Sequence, residues 1–403
     1  MSWSIGVRTR LAMSRFVVAT VAIAAIGYVA FHLFIPDEIS PVRAALSIGE
    51  TLGGANTAGH DLALEPRPFS FPADHGPHPG FRNEWWYVTG NVDGADGHRF
   101  GYQITLFRTA LSPDMIQRES AWATRQAWMA HFAITDVRAG RFHAFERFAR
   151  GTLGLAGGQT TPFRVHAGGW SIESADPAGF FPLRVRAREG DVSIDLVLGE
   201  GKPLVLNGDS GLSRKGGAPG NASYYYSFTR LPTSGIVAVD GRSHTITGQS
   251  WIDREWSTSA LADSVSGWDW FAIQLADTTE LMVYRLRRDD GSTDPFSAGT
   301  FIAADGSAVT LRATDFSIDP TAEWTSPIDG TAYPGAWSIR VFPADLTIDV
   351  HPVIADQEHT GSFRYWEGAV DATGTRAGVP VRGRGYVELT GYNGGVSSNR
   401  IAR

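Results

Sequence analysis

The chain has 403 residues, of which 43% are hydrophobic and 19% charged, so its body can bury a sizeable core and is not intrinsically disordered. It contains no Cys, which excludes disulfides, thiolate metal sites, iron–sulfur clusters and cysteine nucleophiles, and a net charge of -7 offers no global field for nucleic acid. At roughly 150 residues per domain, the length accommodates two domains and an additional piece.

The additional piece comes first. Arg8, Arg10 and Arg15 precede an apolar run from Phe16 to Ile35 that closes at Pro36-Asp37-Glu38. At 1.5 Å per residue a helix of residues 16–35 spans about 30 Å, the thickness of a bilayer core. The cationic flank should stay in the cytoplasm. Residues 1–36 are therefore expected to be a signal anchor, a single transmembrane helix in a cell inner membrane that leaves the body in the periplasm. A cleaved signal peptide and a buried core helix are the alternatives. Residues 37–67 mix Gly, Ala, Thr and Pro without a clear period and read as a linker.

From Phe69 onward the sequence reads as strands. The runs Glu84–Val92 and Arg99–Phe107, separated by Asp93-Gly94 and Asp96-Gly97, predict a hairpin. Comparable runs recur to Val381–Leu389, and Asp114–Arg125 alone looks helical. About seventeen strands without βαβ alternation predict an all-β fold. A small barrel holds about eight strands, so two barrels fit, divided here as 68–245 and 246–403.

Three segments concentrate aromatic and charged residues beyond the needs of a core: 71–87, 224–228 and 250–270. In a strand over Ser250–Trp256, alternation puts Trp251, Asp253 and Glu255 on one face. The two carboxylates would then lie about 6 to 7 Å apart. If that face is a barrel interior, desolvation and mutual repulsion raise at least one pKa, and a neutral buried acid can donate a proton. Surrounding aromatics could hold a developing carbocation by cation–π attraction. The alternative is that Asp253 and Glu255 pair with arginines such as Arg254 or Arg285 and fix a corner between the barrels. Asp74, His75 and His78, with Glu84 as a fourth group, have donor chemistry for a metal but sit in a Pro- and Gly-broken loop, where imidazoles more often satisfy carbonyls. His131 is expected to be a hydrogen-bonded structural histidine, Asp356-Gln357-Glu358-His359 a solvated loop, and Ser210 part of a polar turn. No nucleophile elbow, Walker loop or dinucleotide fingerprint occurs in a strand-to-helix context. No metal or cofactor is expected.

The same segments resemble a known family. FPADHGPHPGFRNEWWYVTGN (71–91), GYQITLFR (101–108), HFAITD (131–136), ASYYYSFTRL (222–231), GQSWIDREWS (248–257), GWDWFAIQL (267–275), YWEGAV (365–370) and GRGYVELTGY (383–392) are similar to the carotenoid 1,2-hydratase (hydroxyneurosporene synthase) and AttH-like family of lipocalin-like proteins. The resemblance implies two tandem lipocalin-like (calycin-type) antiparallel β-barrels and a cofactor-independent addition of water to an isoprenoid double bond. In the hydratase branch an Asp in an aromatic-x-Asp phrase is taken as proton donor. Carried over, that is Asp253, with Trp251 as aromatic partner and Tyr224 and Tyr226 as the upstream pair. The branch continues Asp-x-Asn-Trp-Gly where this chain has Asp253-Arg254-Glu255-Trp256-Ser257, and the bulk of the resemblance is to the envelope-associated branch. The expected catalytic residues are thus Asp253 and Glu255, and the expected ligand-binding residues Tyr224, Tyr226, Trp251, Trp268, Trp270, Glu84 and Trp85. The expected partner is a hydrophobic small molecule, a lipid or isoprenoid. The rival expectation is a non-enzymatic envelope protein associated with an export complex, with both barrels filled by their own side chains.

Overall fold

The structure is a computed structural model that describes residues 57–113, 120–259, 261–262 and 264–392. The expected transmembrane segment lies outside the described residues. Among the described residues no helix is long and apolar enough to cross a membrane.

The chain forms two curled, barrel-like antiparallel sheets. The first begins with β1 (Asn83–Gly94), β2 (Arg99–Ala110), β3 (Gln126–Asp136) and β4 (Arg141–Arg150). Short strands follow: β5 (Ala156–Gln159), β6 (Arg164–Ala167), β7 (Trp170–Ser174), β8 (Leu183–Glu189), β9 (Val192–Leu198), β10 (Val205–Leu206) and β11 (Leu212–Arg214). The long β12 (Ala222–Val239) and β13 (Arg242–Ser257) complete it in the order β4-β3-β2-β1-β13-β12-β9-β8-β7-β6-β5, with β10 and β11 paired to β12. The second sheet holds β14 (Val265–Leu275), β15 (Glu280–Arg288), β16 (Ala298–Ile302), β17 (Ala308–Arg312) and β18 (Phe316–Thr325). It ends with β19 (Ala332–Val341), β20 (Leu346–Pro352), β21 (Glu358–Thr360), β22 (Arg364–Arg376) and β23 (Val379–Leu389). Its order is β17-β16-β15-β14-β23-β22-β20-β19-β18, with β21 on β22.

Period-two alternation builds three cores rather than two. One face of the first sheet buries Trp86, Val88, Ile104, Phe132, Ile252 and Trp256 inside the curl. The second sheet does the same with Phe271, Ile273, Trp337, Ile339, Trp366 and Val387. The opposite faces of the central strands meet each other, and a third cluster joins Tyr87, Tyr225 and Trp251 of the first sheet to Trp270, Tyr284 and Tyr386 of the second. Consequently Ser250–Ser257 of β13 is buried without interruption, because both its faces are covered. Polar contacts lock this seam: Asn91 donates to the Gly385 carbonyl at 3.1 Å, and Arg99 pairs with Asp371 at 2.7 Å.

The β1–β2 hairpin forms as expected, with Gly97 at φ 73° in its turn. Three expectations need correction. The break between the sheets falls between Ser257 and Val265 rather than at 245/246, because β13 pairs along its whole length with β12 and also with β1. Residues 120–125, the described part of the expected helix Asp114–Arg125, are turn and loop. Residues 357–359 are buried, not solvated: Glu358 takes hydrogen bonds from Ser326 and Tyr333 and pairs with Arg364, while His359 stacks on Tyr365 at 4.5 Å.

Candidate functional site

A cavity of about 290 Å³ lies between the two sheets, within the third cluster rather than inside either curl. Its wall combines aromatics (Trp85, Tyr87, Phe107, Trp268, Trp270, Tyr365) with carboxyl groups, and besides Glu84 four of these face it: the buried Asp253, Glu255 and Glu367 and the half-buried Glu388. Two of the four come from β13 and two from β22 and β23, so neither sheet makes the site alone.

Register explains which tyrosine reaches it. On β12, Tyr225 lies opposite Glu255 and Ser227 opposite Asp253, and cross-strand partners share a face. Tyr225, not the expected Tyr224 and Tyr226, therefore points to the carboxylates. Its hydroxyl donates to Asp253 Oδ2 at 2.5 Å and accepts from Trp270 Nε1 at 3.2 Å. Tyr224 and Tyr226 belong to the core of the first sheet. There Tyr224 donates to the Glu65 carbonyl at 2.9 Å, and Tyr226 meets His75 Nδ1 at 2.7 Å.

Asp253 Oδ1 accepts two more bonds, from Ser227 Oγ at 2.5 Å and Trp251 Nε1 at 2.7 Å. Trp251 is thus a partner of the acid rather than part of the cavity wall. Burial pushes the Asp253 pKa up to about 7 against these three donors, with Glu255 adding to the rise. Among the described residues no arginine pairs with Asp253. Arg254 turns to the other face and binds Glu84, Arg285 pairs with Asp269, and Glu255 is matched by Lys215 Nζ at 2.6 Å. Burial opposes the charge of Lys215, yet Glu255 holds its pKa above the ordinary value. Burial likewise raises Glu388 to about 8, although Trp268 Nε1 donates to it at 3.0 Å. Glu367 is raised further by burial and by Glu388. The hydroxyls of Tyr87 and Tyr365 oppose that rise, and His359 Nε2 stands 3.8 Å away.

Glu84 reaches the cavity wall but is committed elsewhere. It accepts from Arg108 Nε, Arg254 Nη2 and the His78 backbone N–H, and despite complete burial these cations hold its carboxyl well below the usual range. Asp74 pairs with Arg67 at 2.7 Å and with His78 Nε2 at 3.0 Å. His75 faces away, stacked on Phe180 at 3.6 Å, and burial, then Arg254, lowers its pKa to about 3. The Asp74, His75, His78 and Glu84 group is thus an arginine-neutralised network and not a metal centre. His131 is hydrogen-bonded as expected, to Tyr365 at 2.7 Å and Glu146 at 3.2 Å, and also lines the cavity.

Sequence reasoning placed Asp253, Glu255, Trp85, Trp268 and Trp270 at one site, and the structure brings them together. It missed Lys215, Tyr225, Glu367 and Glu388. The phrases YWEGAV and GRGYVEL carry the signal, since each sets a Glu two residues after a Tyr within a strand.

Two antiparallel, lipocalin-like curled sheets that share an acid-rich aromatic cavity define the class. The AttH-like family model matches residues 62–392, and the chain belongs to that family. A crystal structure of an AttH from Nitrosomonas europaea is 34% identical, with a TM-score of 0.73 over 82% of this chain and 99% of that one. Kievitone hydratase from Nectria haematococca shares the fold at 16% identity, with a TM-score of 0.62 over 82% of this chain and 96% of that one. None of the curated proteins compared by sequence matches the chain.

Proposed function

We propose that the cavity binds a small hydrophobic molecule bearing a carbon–carbon double bond and that Asp253 starts the addition of water to it. The observation that carries this reading is a buried carboxyl with a pKa of about 7, facing an aromatic cavity that spans both sheets. A general acid works best when its pKa lies near the operating pH. The name of the fold neighbour, kievitone hydratase, supports the same reaction class.

The sequence of events follows from the contacts. The Asp253 proton passes to one alkene carbon, and the π pair forms the new C–H bond. The other carbon is left cationic, facing the π clouds of Trp268, Trp270 and Tyr225 and the carboxylate just formed. Water supplies the electron pair for the C–O bond, and its surplus proton returns to Asp253. Ser227, Trp251 and Tyr225 stabilise the carboxylate during the interval in which it is charged. Apolar walls keep other water out, so the cation is not lost to solvent. Residues 16–35 would tether this activity to the periplasmic face of the inner membrane. Protease protection in spheroplasts tests that placement, and full cleavage of the body only after lysis would refute it.

Incubation with a panel of isoprenoid alkenes, followed by mass spectrometry for addition of one water, tests the chemistry. Asp253→Asn should retain the fold and lose about 100-fold or more of the rate, the contribution typical of a positioned acid. Full activity in that variant would remove Asp253 from the reaction.

A further inference from the structure

At the opposite end of β1 and β13 from the cavity, a second cluster of polar side chains interrupts the apolar interior of the first sheet. His244 lies on β13 about 30 Å from Asp253 at a strand rise of ~3.3 Å per residue, so the two places are separate. Val92, Phe100 and Ile246 fill the interior here, and His98 and His244 intrude among them. The His98 ring stacks on Phe100 at 4.3 Å and meets the edge of His244 at 4.7 Å. One ligating atom from each of Asp96, His98 and His244 lies within 4.8 Å of the other two.

The remaining contacts prepare nitrogen lone pairs rather than use them. His98 Nε2 is 2.6 Å from Asp136 Oδ1, with both residues buried. With Nε2 engaged by that carboxylate, Nδ1 is the ring nitrogen left to face a ligand. Among the described residues the His98 side chain hydrogen-bonds through Nε2 alone. His244, half-buried, makes no hydrogen bond or ion pair among the described residues. Asp96 sits at the hairpin tip, where Oδ1 accepts the His98 backbone N–H at 3.0 Å and Oδ2 meets Arg138 Nη1 at 3.0 Å in a solvent-exposed pair. Such an exposed pair contributes little and can be exchanged.

We propose that Asp96, His98 and His244 bind a divalent transition-metal ion of the zinc type, with Asp136 as the outer carboxylate that orients His98. Two imidazoles and one carboxylate suit such an ion better than magnesium or calcium, which prefer all-oxygen sites. A carboxylate on the second ring nitrogen is the usual outer partner of a ligating histidine. Metal bonds of about 2.0–2.2 Å require the three ligand atoms to draw together by about 1 Å, and the exposed hairpin tip carrying Asp96 can supply that movement. Three protein ligands leave a fourth position to water.

The test uses the untagged full chain and cobalt(II), whose visible d–d absorption reports coordination by nitrogen and oxygen ligands. The wild type should take up one equivalent, displaced by zinc. His244→Ala and Asp96→Asn, both at the solvent side of the cluster, should each weaken cobalt binding at least tenfold without changing the circular dichroism spectrum. Asp136→Asn should weaken it 10- to 100-fold, as outer-shell removal does elsewhere. No uptake by the folded wild type, or uptake unchanged in His244→Ala and Asp96→Asn, overturns the proposal.

Discussion

Asp253 receives three hydrogen bonds that favour its charged form, and burial still prevails. That balance makes its proton a contributor to stability as well as a reagent. Between about pH 4 and 7 the folded state holds a proton that the unfolded chain has released, so stability falls as pH rises through this window. The contribution is fully present below the unfolded value of about 4 and gone above about 7, and Glu388 extends the decline to about 8. Glu84 and Asp74 have lowered values and act in the opposite sense only at acidic pH. In urea titrations at a series of pH values, Asp253→Asn should therefore show a shallower loss of stability from pH 5 to 7 than the wild type, and should be the more stable protein at pH 8. Identical slopes would mean that Asp253 is charged throughout. At this scale the sequence was legible to within one residue. Alternation identified the Asp253–Glu255 face, but a run of three tyrosines carries no parity of its own. Only the pairing of Tyr225 with Glu255 decides which one shares that face.

β13 is the element on which most depends, because its two faces carry different chemistry. Asp253 and Glu255 look to the seam, while Arg254 crosses to the other face and lies over Trp86 at 3.9 Å. There it joins Arg108 of β2 and Glu84 of β1, so three adjacent strands are tied by one fully buried carboxylate. Replacing Glu84 by Ala leaves two guanidinium groups buried without their anion and should cost about 3–5 kcal/mol in chemical denaturation. A loss under 1 kcal/mol would show that water takes the place of the anion. The hairpin β1–β2 was readable because apolar alternation and Asp-Gly turns coincide. β21 was not, since Asp356–His359 is polar throughout and its residues 357–359 are buried only because β22 and the first sheet cover them. The same dependence on distant partners hid the boundary. Nothing local at residue 245 shows that the strand continues for twelve residues in the first sheet, to Ser257.

At the scale of the molecule the two sheets behave as one body, because the site belongs to their shared seam. Gly101 is where they approach closely: a Cβ there would stand 2.5 Å from the Ala369 Cβ and 3.0 Å from the Tyr386 hydroxyl. Gly101→Leu should force the sheets apart, costing about 1–3 kcal/mol as overpacking does and weakening ligand binding in the cavity together with stability. Calorimetry and ligand titration on the same variant check both, and unchanged values of each would mean that the seam yields freely. The family resemblance made two sheets legible, but their outer faces gave no sign that they would join, since a buried Glu367 and an exposed one look alike in sequence.

The pairing of Asn83 with Ser257 also has a temporal consequence. A chain that emerges in order, at about 5–20 residues per second, completes β1 on the order of ten seconds or more before β13 exists to cover it. During that interval β1 is an open edge carrying Trp85, Trp86 and Tyr87, a surface suited to unwanted strand addition. Newborn copies therefore need either a chaperone that shields aromatic edges or a delay in compaction until residue 257 is available.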